Sequence, residues 1–180
     1  MTFHSFHDET HLYFVTATVC GWKAIFAQAK YASIVLNSSA WLRQNDRMLL
    51  HTYVLMPSHL HMIVKPRDLS IGDLLQDFGS FTAHTMIRVL RENRETGLLN
   101  YFHEHRRDAR HEHSIWQDIQ AKNIFSTNFL KEKVEYIHNN PVAKQCKMVE
   151  DRADFKYSSA CFYDRDQIPI IMVDDVREWL

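Results

Sequence analysis

The chain has 180 residues, 46% of them hydrophobic and 24% charged, with 21 basic against 22 acidic side chains. That composition suits one folded domain with ample core material, and it excludes a disordered chain. No run approaches the roughly 18 apolar residues of a membrane span, and the first residues show no basic stretch followed by an apolar one.

Three cysteines, Cys20, Cys146 and Cys161, have no paired spacing and an odd count, which fits reduced thiols and a cytoplasmic location. Charge is unevenly placed. Residues 84–147 carry 11 basic and 8 acidic groups, net +3, and residues 148–180 carry 4 and 8, net −4. A basic middle followed by an acidic tail is compatible with a polyanionic partner and equally with an ordinary solvated surface. Histidine is abundant, at 12 residues.

In chain order, Leu12–Val19 is rich in β-branched and aromatic residues and reads as a strand stopped at Gly21. Residues 24–44 have helical spacing of apolar side chains. Met48–Met56 and His59–Val64 are two strands separated by Pro57-Ser58, which predicts an antiparallel hairpin. Ser70 and Asp73 resemble a capping box that opens a long helix, with Gly79 inside it as a small local cost. Residues 94–114, polar and rich in His and Arg, read as a surface loop. A last helix is expected from about Thr127 to Asn139, stopped by Pro141. Ile168–Val173 has the composition of a short strand. This order predicts an α+β sandwich, ferredoxin-like, with the helices on one face of an antiparallel sheet. The expected division is a main domain over residues 1–147, the part that holds the chemical motifs below, and an acidic tail over 148–180 that packs on or extends it.

Two features carry chemistry. In His59-Leu60-His61, alternation along a strand sends both imidazoles to one face, as half a metal site or as two polar residues on a half-exposed strand. The same spacing recurs at His103/His105 and His111/His113, where the predicted loop gives no rigid support. In the second feature, Leu130, Val134 and Ile137 form a core stripe, and Tyr136 and Asn140, spaced i and i+4, share a neighbouring face. Together the two features would supply a tyrosine nucleophile, two imidazoles and an amide oxygen, with coordination positions left for phosphate and water.

These residues resemble the single-tyrosine HUH transposases, and among them the REP-associated tyrosine transposases. Met56-Pro57-Ser58-His59-Leu60-His61 is similar to their Met-Pro-Asn-His-x-His strand, and Tyr136-Ile137-His138-Asn139-Asn140-Pro141 to their Tyr-Ile-x-x-Asn-Pro helix. Weaker matches at residues 13–16, 78–82, 116–117 and 157–159 keep the same order. Ser58 stands where Asn is usual, Tyr157 where Trp is usual, and Ala143-Lys144-Gln145-Cys146 replaces the commoner basic-Ala-Gly-Leu.

The resemblance implies an HUH endonuclease-type fold and a metal-dependent enzyme that nicks and transfers strands of single-stranded or hairpin DNA. It implies Tyr136 as the nucleophile of a 5′-phosphotyrosine intermediate. His59, His61 and Asn140 would hold Mg²⁺ or Mn²⁺. It leaves monomer and homodimer both open, and no membrane partner is expected. Arg88, Arg91, Arg106, Arg107, Arg110, Lys131 and Lys144 are candidate DNA contacts, with Tyr101 or Phe102 as stacking surfaces. A non-catalytic hairpin-binding protein on the same fold is the alternative. A zinc hydrolase built from the histidine pairs is a third reading, without the His-Glu-x-x-His or Cys-rich spacing such sites use.

Overall fold

The computed structural model describes residues 11–106, 110–145 and 147–180. Four strands form one antiparallel sheet: β1 (Leu12–Val19), β2 (Met48–Met56), β3 (His59–Pro66) and β4 (Trp116–Ile124), in the spatial order β2-β3-β1-β4. The helices are α1 (Ala29–Gln44), α2 (Ile71–Glu92), α3 (Thr96–Glu104), α4 (Thr127–Asn139) and α5 (Ala160–Arg165). With α3 set aside as an insertion, the order β1-α1-β2-β3-α2-β4 and this strand arrangement are those of a ferredoxin-like α+β fold. Among the described residues, no helix is long and apolar enough to cross a membrane.

Alternation along the strands divides the core in two. Val15, Ala17, Tyr53, Leu55, Leu60, Met62 and Val64 point to one face, where Tyr31, Val35, Leu36, Leu74, Phe78, Met86 and Leu90 of α1 and α2 cover them. Leu12, Phe14, Val54, Met56 and Ile63 point to the other, beneath Leu130, Val134 and Ile137 of α4. Helices therefore lie on both faces, not on one as expected. The reason is period two: a sheet apolar on both sides has to bury both.

The hairpin tip that precedes His59 is tied down by its neighbours. Val19 N–H donates to the Ser58 carbonyl at 3.0 Å, and Phe26 N–H to the Pro57 carbonyl at 2.9 Å. The capping box at the start of α2 forms: Asp73 N–H donates to Ser70 Oγ at 3.1 Å, and that hydroxyl donates to Asp73 Oδ2 at 2.7 Å.

Four sequence expectations are corrected. The first helix starts at Ala29, after a separate 3-10 turn at Ile25–Ala27. The segment 94–114 is not all loop, because α3 anchors it through the buried Phe102, which is a core residue and not a stacking surface. The helix ending at Asn139 is not the last, since α5 follows. Ile168–Val173 forms no strand. Its backbone is unpaired in any ladder, yet Ile171 and Val173 insert into the α1/α2 core while Ile168, Ile170 and Met172 stay exposed.

The segment 148–180 packs along the free side of β2. Leu55 N–H donates to the Tyr157 carbonyl at 2.8 Å and Ser159 N–H to the Tyr53 carbonyl at 3.0 Å, so residues 157–159 close that edge. Asp174 accepts two hydrogen bonds from Arg43, at 3.0 and 2.8 Å, and one from Leu50 N–H at 2.9 Å. Val176 enters the α4 core. The tail thus touches both layers.

Candidate active site

Antiparallel register brings the two motifs together. On β3, His59 pairs with Thr18 and Met56, and His61 with Thr16 and Val54. Both imidazoles therefore stand on the face that α4 covers. Helix α4 is capped by Ser126, whose Oγ accepts from Phe129 N–H at 3.2 Å. Asn140 keeps helical dihedrals (φ −54°, ψ −45°) against the usual bias of a residue before proline, so it sits one turn beyond Tyr136 on the same side.

The polar contacts are specific. The Tyr136 hydroxyl lies 3.5 Å from His61 Nε2, and Asn140 Oδ1 lies 3.3 Å from His59 Nε2, all within one chain. His61 is only 5% exposed, with Nδ1 3.0 Å from Thr16 Oγ1 and its ring stacked on Phe14 at 5.4 Å. With Nδ1 protonated, the Nε2 lone pair faces the tyrosine. His59 Nδ1 is 3.3 Å from Ser58 Oγ. A hydroxyl donates or accepts, so Ser58 satisfies either tautomer of His59 and can leave its Nε2 free as a ligand.

Burial holds both imidazoles below the ordinary histidine range. For His61 the value falls to about 3, with burial first and the charges of His59 and Lys133 next, opposed by a hydrogen bond to Val15. For His59, burial lowers the value and the contact with Asn140 opposes it. Both rings are thus neutral near pH 7, the form that binds a metal.

The donor set fits one divalent ion. Two ligands at right angles, each about 2.1 Å from an octahedral ion, are about 3.0 Å apart, and the His59–Asn140 contact of 3.3 Å is close to that. Two neutral imidazoles and an amide leave the ion's charge uncompensated, which favours a phosphate oxygen as a further ligand. Among the described residues, no three His, Cys, Asp or Glu side chains gather as a metal site. The His103 and His113 rings are 5.9 Å apart, and His103 Nδ1 is 2.8 Å from the Glu112 carbonyl, so the zinc reading gains no site there.

The candidate DNA contacts are not brought together. Arg88 and Arg91 lie on α2, on the far side of the sheet, and pair with Glu92 at 3.0 Å and Glu112 at 2.6 Å. Arg106 donates to the His103 carbonyl. Arg110, Lys131 and Lys144 are exposed, and Arg107 lies outside the described residues. Tyr101 donates to the Gly21 carbonyl at 3.2 Å.

Three residues at the site were missed from sequence. Lys133, three residues before Tyr136, lays its ammonium 5.5 Å from the Tyr136 ring and 4.9 Å from that of Phe129. The i, i+3, i+7 spacing Lys133/Tyr136/Asn140 was the available signal. Thr16 orients His61. Trp22, in the turn after β1, meets His59 edge-on at 5.4 Å; no sequence pattern marks it.

His138, adjacent to the motif residues, faces the opposite way. It is buried, with Nε2 3.0 Å from Ser159 Oγ and its ring 5.2 Å from that of Tyr163. Its role is to fasten α4 to the tail. Arg152 does the same from outside, donating to Glu135 at 2.6 Å and to Asp164 at 2.7 and 2.8 Å. Burial, then the Arg152 charge, lowers the His138 value to about 4. The unfolded chain therefore takes the proton first, near pH 6.5, and stability falls as pH drops from there toward 4. The full loss is of order 3 kcal/mol. Urea unfolding of wild type and His138→Gln across that range should show a shallower slope in the variant; equal slopes would remove His138 as the cause.

No family model matches the chain, and no curated protein matches it. Among solved structures, a REP-associated tyrosine transposase bound to a REP hairpin aligns with a TM-score of 0.64 at 18% identity, over 98% of this chain and 93% of the other. A candidate transposase from Deinococcus radiodurans aligns over 77% of this chain and 97% of the other, with a TM-score of 0.45 at 11% identity. The chain therefore shares the α+β fold of that hairpin-bound structure.

Proposed function

We propose that the protein is a transposase-type enzyme that nicks and rejoins single-stranded or hairpin DNA through Tyr136. His59, His61 and Asn140 would hold Mg²⁺ or Mn²⁺. The observation that carries this reading is the placement of the Tyr136 hydroxyl 3.5 Å from His61 Nε2, on the face where His59 and Asn140 meet. The solved transposase of this fold is bound to a hairpin, which supports DNA as the substrate class.

When bound, the ion would polarise the phosphoryl oxygens and offset their charge. The remaining work belongs to the chain. Phe14 and Lys133 confine the Tyr136 ring so that its oxygen faces the ligand cluster. That oxygen attacks phosphorus as the bond to the 3′ oxygen breaks. Tyrosine gives up one proton and the departing oxygen gains one, leaving a 5′-phosphotyrosine and a 3′-hydroxyl. The reverse attack by a 3′-hydroxyl reseals the strand, so one phosphodiester is conserved and no external energy is required. Lys133, paired with Glu132 at 2.7 Å, would bring part of its positive charge to the Tyr136 side of the site. All of these groups come from one chain.

The test is a denaturation-resistant adduct between the protein and one member of a panel of hairpin-tipped single-stranded DNAs in Mn²⁺. Peptide mapping should place the DNA on Tyr136, and chelator should prevent the adduct. Binding without any adduct across the panel, unchanged by chelator, would instead support the non-catalytic alternative. An adduct on another residue would overturn the assignment.

A further inference from the structure

Trp22 is 59% exposed, although indole is among the side chains most favoured for burial. Its backbone is left-handed, φ +55°, directly after Gly21 at φ +58°. For a bulky L-residue that conformation is disfavoured, and it persists only where the surroundings impose it. They do so here. Gly21 N–H donates to Gln117 Oε1 at 3.2 Å, Tyr101 donates to the Gly21 carbonyl at 3.2 Å, and Cys20 N–H donates to the Ile115 carbonyl at 2.8 Å. A Cβ at Gly21 would collide with the Tyr101 hydroxyl, so α3 and the start of β4 press the turn into this shape. The result is an indole with most of its surface in solvent, 5.4 Å from the His59 ring.

We propose that Trp22 is a nucleobase-stacking residue. Its indole would take the base of a nucleotide adjoining the phosphate held at His59, His61 and Asn140, fixing the strand so that this phosphate faces Tyr136. A phosphate is flanked by the bases of its two adjoining nucleotides, so a ring 5.4 Å from the imidazole of His59 is placed to serve the nucleotides that flank the bond to be cut. An aromatic face accepts any base, which gives a grip without a sequence code. Lys23, next in the chain, is exposed and holds its ammonium 4.7 Å from the Tyr101 ring that braces this turn. The proposal rests on the DNA-cleaving reading above.

The test uses the oligonucleotide that forms the adduct, with 2-aminopurine or an abasic residue placed in turn at each position flanking the cut. In a Tyr136→Phe background, Trp22→Ala should weaken binding roughly 5- to 150-fold, the range for loss of one base–aromatic stack. It should also abolish 2-aminopurine quenching at one flanking position. An abasic residue at that position should weaken binding to the protein with Trp22 and have no further effect on Trp22→Ala. Trp22→Phe should retain most of the affinity. Trp22→Gly, which suits the left-handed backbone, should keep the melting temperature within a few degrees while losing the quench. Trp41→Ala, which removes an exposed indole from α1 on the other face, should leave binding unchanged.

Equal affinity and quenching in Trp22→Ala, with adduct still formed on Tyr136, would overturn the stacking role alone. If the wild-type protein forms no adduct with any hairpin DNA, the DNA-cleaving reading fails and the stacking role falls with it.

Discussion

Tyr136→Phe should lose adduct formation by at least about a thousandfold, because it removes the attacking oxygen and leaves no covalent route. Nothing else should change much. The Tyr136 ring is 48% exposed, and its hydroxyl lies 3.5 Å from His61 Nε2. Phenylalanine preserves the edge contact with Phe14 and the ammonium of Lys133 over the ring. The variant should therefore melt within a few degrees of wild type, bind Mn²⁺ with similar affinity and still bind hairpin DNA. Adduct yield, calorimetric metal binding and thermal melting, measured on one preparation, separate these effects. Residual adduct near the wild-type level would mean that another group is the nucleophile.

The second large effect should come from His61. His61→Ala removes a proposed ligand and empties a buried position between Phe14 and Tyr136, so Mn²⁺ binding should fall below detection and adduct formation should go with it. Thr16→Val separates the ligand from its orientation. It deletes the oxygen 3.0 Å from His61 Nδ1 and keeps a β-branched residue on the strand. Loss of such an outer hydrogen bond typically costs 10- to 100-fold in metal affinity or activity, so Thr16→Val should retain the site and need more Mn²⁺ to fill it. Rescue of adduct formation by raised Mn²⁺ in Thr16→Val, and no rescue in His61→Ala, is the expected pattern. Full Mn²⁺ affinity in His61→Ala would exclude it as a ligand.

The parts of this molecule that were legible in sequence are those where a short-range rule sets the outcome. Pro57-Ser58 between two β-branched runs reports a hairpin, and strand alternation then puts His59 and His61 on one face. Serine at position 70 and Asp73 report a cap. The illegible parts depend on partners distant in the chain. Strand β4 is an edge strand whose residues are largely half-exposed or exposed, so its apolar signal is faint. Helix α3 has a single buried residue, Phe102, and nine positions in all. Residues 168–173 show the opposite failure: their period-two burial is real, but the extended segment inserts into the core without pairing as a strand. At the site, Lys133 could be placed beside Tyr136 from helical spacing once the helix face was known. Trp22 could not, because its position depends on a turn shaped by Tyr101 and Gln117, 79 and 95 residues further on.

The fastening of α4 by Ser159 and Arg152 has a consequence for the order in which the protein is made. A ribosome releases Tyr136 and its helix before it releases the residues that hold that helix in place, and before residues 157–159 close the outer edge of β2. Until then the histidine strand and the nucleophile's helix exist in the nascent chain without the clamp that sets their distance. The aligned arrangement of the proposed site is thus a late acquisition during synthesis, and a chain interrupted after residue 147 carries every proposed reacting group and lacks the frame that aligns them.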